Sequence, residues 1–114
     1  MDDAIRLSLW GAFSDFFLDT ELTDQDFQHA ARVVAASGLQ LEQAEAVLWN
    51  EVFPVLHQNF LDPSGIWAGW PEDWLKANLR PSTGPARRVG PELAVKEIGE
   101  CWGRMVSHLP RQHT

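Results

Sequence analysis

The 114-residue chain has a single cysteine, Cys101, so it closes no disulfide within itself, and no Cys/His spacing of the kind that holds zinc is present. It also lacks any apolar run near the ~18 residues that suggest a membrane span. Met1 is followed at once by Asp2 and Asp3 rather than by the basic start of a secretory signal. These absences point to a protein of the reducing cytoplasm, with no membrane partner.

Positive charge is scarce over the first two thirds of the chain. Between Arg6 and Lys76 the only base is Arg32, against eleven carboxylates. Up to Asp62 there are eleven acids and two bases, a balance of −9; from Pro63 onward five acids meet seven bases, a balance of +2. A field of one sign repels nucleic acid and attracts cationic partners. Arg80, Arg87 and Arg88 gather in one later stretch, but three arginines in a chain of net charge −7 are a narrow footprint for a phosphate backbone, so nucleic acid is not expected.

Apolar residues make up 45% of the chain, with six Trp and six Phe, enough for the core of one domain spanning residues 1–114. Ile5, Leu9, Phe13 and Phe16 recur at helical spacing in a segment from Asp3 to Leu18, with Gly11 expected to permit close packing or a bend. Thr23 with Asp24 and Asp26 reads as the start of a second helix, which buries Phe27, Ala30, Ala31 and Val34 and ends at Gly38. Leu41, Ala44, Leu48, Val52 and Val55 predict a third, interrupted by Pro54. A kink there is favoured over a fresh start, with the helix running to Phe60. Asp62 to Gly65 reads as a turn, and Pro71 to Leu79 as a short helix. The Pro- and Gly-rich stretch 80–90 has no apolar period and reads as a flexible loop. Ala94, Ile98, Cys101, Trp102, Met105 and Leu109 form the seam of a last helix. The expected fold is all-α: a single-domain bundle of four to five helices with a Pro-kinked central helix.

The densest acids, Asp15, Asp19, Glu21, Asp24 and Asp26, lack the glycine turn and terminal glutamate of a calcium loop, so no metal or other cofactor is assigned. Asp24 and Asp26 suit a helix start, whereas Asp15 and Asp19 repel each other if they share a face, and a partner's Lys or Arg would relieve them. Glu42 and Glu45 share a helix face without a nearby histidine, and His29, His57, His108 and His113 are scattered, so no catalytic residue is assigned. Cys101 reads as a buried, inert thiol. Trp67, Trp70 and Trp74 crowd eight positions; Trp74 and Trp67 are expected to be buried, and Trp70, between Gly69 and Pro71, to be partly exposed.

Phe17 to Leu22, Glu51 to Leu56 with Asn59, and Gly65 to Trp67 near Trp74 and Leu75 resemble an uncharacterised family of small helical bacterial proteins. The resemblance covers about Leu7 to Leu79 and leaves the last helix outside. Some short acidic proteins of this sort look like immunity proteins of toxin systems, which implies a protein partner; such a family brings no established activity, so no catalytic residue is carried over. The leading expectation is a non-enzymatic inhibitor or immunity protein that masks a basic site on a toxin such as a nuclease. Asp15, Asp19, Glu21, Asp24, Asp26, Glu42 and Glu45 would steer the encounter, with Trp70 as an anchor. A ligand-binding or enzymatic domain is the alternative, its pocket lined by Trp67, Trp70 and Trp74 with Glu72, Asp73 or His57. A third class is a homodimer through the Gly99 and Gly103 face of the last helix.

Overall fold

The computed structural model describes residues 2–18, 22–60 and 70–109. These form five helices and, among the described residues, no strand, as the apolar spacing predicted. Helix α1 is Asp3–Ser14, prolonged by a 3-10 turn at Asp15–Phe17, and α2 is Asp24–Ser37. Helix α3 is composite: it begins as Leu41–Val47, widens into a π turn at Leu48–Val52, resumes as Phe53–Leu56 and closes in a 3-10 turn at His57–Phe60. Helix α4 is Glu72–Asn78 and α5 is Glu92–Val106.

Local chemistry sets the ends of these helices. The Asp2 carboxylate accepts a hydrogen bond from the Ala4 amide at 2.9 Å, and that of Asp26 accepts one from the Thr23 amide at 2.7 Å. Each satisfies a backbone donor that the first turn leaves free, and places negative charge at the positive end of the helix. Gly38 stops α2 at a φ of 72°, a left-handed conformation that a side chain resists. In α3, Pro54 has no N–H to donate and its ring crowds the carbonyl four residues back. The chain widens just ahead of it, where the Phe53 amide bonds the Leu48 carbonyl five residues back. The helix therefore continues through Pro54, and the distortion foreseen there takes the form of a π turn.

Helix α1 with its 3-10 extension is the central element and packs against each of the other four. Phe13 meets Trp102 of α5 edge-on at 6.0 Å, Phe16 meets Phe27 of α2 at 5.9 Å, and Phe17 meets Phe53 of α3 edge-on at 6.0 Å. Such pairs add roughly 0.5–1.5 kcal/mol each to the burial of their area. Two packing expectations are corrected. Among the described residues a Cβ at Gly11 would meet no neighbouring group within 4 Å, so Gly11 does not mark a close helix crossing within the molecule; one at Gly103 would meet none either, and one at Gly99 only the Arg88 Nη1 at 3.7 Å. Leu41, first in the apolar series of α3, stays 41% exposed because it opens the helix beyond the edge of the core.

Candidate functional site

The π turn of α3 turns three consecutive side chains, Trp49, Asn50 and Glu51, toward different neighbours. Glu51 is buried, 4% exposed, and its carboxylate collects three donors. Oε1 accepts from Trp10 Nε1 at 2.9 Å and from Arg6 Nε at 3.1 Å, both on α1, and Oε2 accepts from the Ser82 amide at 3.1 Å. A carboxylate out of water is tolerated only when its lone pairs are met in this way. Asn50 clamps the next part of the same segment: its Nδ2 donates to the Pro85 carbonyl and its Oδ1 accepts from the Arg87 amide, both at 2.9 Å. The Arg88 guanidinium lies 4.9 Å from the centre of the Trp49 ring and pairs with Glu45 at 2.7 Å. Residues 80–90 carry neither helix nor strand, yet α3 engages them at Ser82, Pro85, Arg87 and Arg88.

The acids singled out in the sequence fall into two groups. Asp15, in the turn after α1, is half-buried; burial pushes its carboxyl above the ordinary 3.8, His29 pulls it down and Asp26 adds to the rise. Asp24 and Asp26 open α2 at the same junction. Asp24 lies 3.6 Å from Arg104 Nη2 and 3.9 Å from His108 Nε2, so α5 already supplies it with a cation. Glu42 and Glu45 sit at the start of α3, beyond the far end of α2, a helix of 14 residues and so about 21 Å long. Glu42 is exposed, and Glu45 is taken by Arg88. Asp19 and Glu21 lie outside the described residues, as do the turn at Asp62–Gly65 and Trp67.

Trp70 is partly exposed, with its ring 6.3 Å from that of Trp74 and tilted 41°. Trp74, expected in the core, is 36% exposed instead: α4 is only 7 residues long and turns Leu75 inward, leaving Trp74 on the outer side. Cys101 is partly buried, and its thiol is pushed up to about 11, by burial first and by Glu97 next, so it stays protonated near neutrality. Among the described residues no three His, Cys, Asp or Glu side chains converge to hold a metal ion, and no helix is long and apolar enough to cross a membrane.

Sequence reasoning passed over Glu51, Asn50 and Arg6. Glu51 carried one signal: it is three residues after Leu48 and seven after Ala44, on the stripe that faces the core, where a carboxylate needs partners. Asn50 carried none, because its partners are backbone groups of residues 35 and 37 positions away.

A five-helix, all-α domain with an internal carboxylate hub and acids on its surface is the class these features define. Within that class, the chain belongs to the family described as a domain of unknown function (DUF7079), which it matches over residues 4–111. The match includes α5, so the similarity extends beyond the Leu7 to Leu79 stretch identified in the sequence. No curated protein and no solved structure matches the chain.

Proposed function

We propose that the protein is a non-enzymatic, acidic protein-binding domain, an inhibitor or immunity protein that covers a basic site on a toxin such as a nuclease. The observation that carries the reading is the junction of α1 and α2, where burial raises the carboxyl of half-buried Asp15, His29 offsets that rise only in part, Asp26 adds to it, and no ion pair answers it among the described residues. A carboxylate raised by burial and by a like charge is relieved when a partner's Lys or Arg approaches, so binding energy is stored where an acid is poorly matched within its own fold. The steering group is narrower than the sequence implies, since Arg104 and Arg88 already answer Asp24 and Glu45. The resemblance to short acidic bacterial immunity proteins supports the toxin assignment, and a cytoplasmic setting agrees with the lone, free Cys101.

Purification from the native host at low salt, followed by mass spectrometry, identifies the bound protein, and stopped-flow mixing then measures association. The expected partner is basic, with an association rate that falls at least tenfold from about 0.05 M to about 0.5 M salt. Asp15→Asn should slow association further. A rate indifferent to ionic strength would overturn the reading.

A further inference from the structure

One cavity is lined by neither Trp70 nor Trp74. It is a groove of about 510 Å³ between α1 and the end of α4, within the range of roughly 300–1,000 Å³ typical of small-molecule sites. Leu7 and Trp10 from α1 and Leu79 from the end of α4 give it an apolar lining. Three of the nine Lys and Arg residues of this acidic chain also line it: Arg6, Lys76 and Arg80. Among the described residues Asp3 is the one acid in its wall. Arg6 and Lys76 are the two bases that bracket the acid-rich stretch in sequence, and the packing of α4 on α1 brings them to one groove.

Their charges are held in different ways. Arg6 is tied through Nε to the buried Glu51, which fixes the guanidinium plane while Nη1 and Nη2 make no hydrogen bond among the described residues. Arg80 donates through Nη1 to the carbonyls of Lys76, Ala77 and Leu79 at 3.3, 3.1 and 2.9 Å, which fastens it over the end of α4. Lys76 is exposed, and its ammonium makes no hydrogen bond or ion pair among the described residues. An apolar floor with one free cation, Lys76, and two anchored ones at its margin, of which Arg6 is already paired with Glu51, complements an anion on an apolar body and disfavours a cation.

We propose that the α1–α4 groove binds a small amphipathic anion, with an alkyl or aryl body against Leu7, Trp10 and Leu79 and a carboxylate head held by Lys76 and the anchored Arg6 and Arg80. This site is separate from the α1–α2 junction assigned to a protein partner.

Decanoate, kept below its micelle-forming concentration, is the probe, titrated into nitrogen-15-labelled protein while the Trp10 indole N–H and the amides of Leu7 and Leu79 are followed by NMR. The expected result is a saturable shift confined to these groups, with Lys76→Glu weakening affinity about fivefold or more through loss of a charge contact at the rim. Ala4→Trp, at an exposed position in the same wall, should block the groove, and circular dichroism checks that each variant is folded. Decanol and decyltrimethylammonium should bind at least fivefold more weakly. Absence of a saturable shift, equal binding of decanol or the cation, or undiminished binding by folded Lys76→Glu or Ala4→Trp would overturn the proposal.

Discussion

A carboxylate removed from water needs donors around it, and Glu51 has three of them, two from α1 and one from the loop after α4. Its worth lies less in net attraction than in what happens when the match is spoiled: a partner stripped from a buried pair leaves uncompensated charge, at a cost of about 3–5 kcal/mol. Glu51→Gln should therefore destabilise the fold by about 3 kcal/mol in urea unfolding, since a neutral amide presents one oxygen to three donors and cannot balance Arg6. Glu45→Gln tests the contrast, because its pair with Arg88 is partly solvated and should account for less than about 1 kcal/mol. Equal losses in the two variants would show that burial does not set the difference.

At the scale of elements, α3 organises the rest by being imperfect. A regular helix through residues 48–54 would collide with Pro54, and the widened turn that avoids this also re-aims Asn50 and Glu51 toward residues 80–90. Asn50→Ala removes both clamps on Pro85 and Arg87; a loss of about 1–2 kcal/mol and faster hydrogen exchange at the Arg87 amide are the expected outcomes. Exchange at Arg87 unchanged from the parent protein would show that the clamp does not hold the segment. Helices α2 and α5 were plain in the sequence, since Phe27, Ala30, Ala31 and Val34, and then Ala94, Ile98, Trp102 and Met105, repeat with the helical period and are all buried. The π turn was not, because proline announces a distortion without specifying its form. The exposure of Trp74 also escaped, because a helix of 7 residues has too few turns for its period to show which side faces in.

For the molecule as a whole, a net charge of −7 makes each poorly matched acid a source of pH dependence. Asp15 binds its proton more tightly in the folded state than the ordinary 3.8. The sign follows directly: its contribution is fully present below 3.8, where folded and unfolded chains are both protonated, and is lost as pH rises through the elevated folded value. Asp15→Asn should accordingly raise the thermal midpoint at pH 7 relative to the parent protein and leave little difference at pH 3, as scanning calorimetry can measure. A variant less stable than its parent at pH 7 would mean that the carboxylate makes a favourable contact that outweighs its burial.

Helical period, capping residues and turn chemistry are local properties, written within a few residues of where they act, so the amino-acid sequence by itself determined the all-α class, most helix limits and nearly all of the core. Charge convergence is not local. The sequence placed Arg6 and Lys76 70 positions apart and ran Asp15, Asp24, Asp26, Glu42 and Glu45 together in one acidic half. Only tertiary packing decided that the two bases share a groove, that Glu42 and Glu45 lie beyond the opposite end of α2 from Asp24, and that Glu51 sits inside. Coulomb interactions and hydrogen bonds depend on distance in space, and α1, by packing against all four other helices, sets those distances.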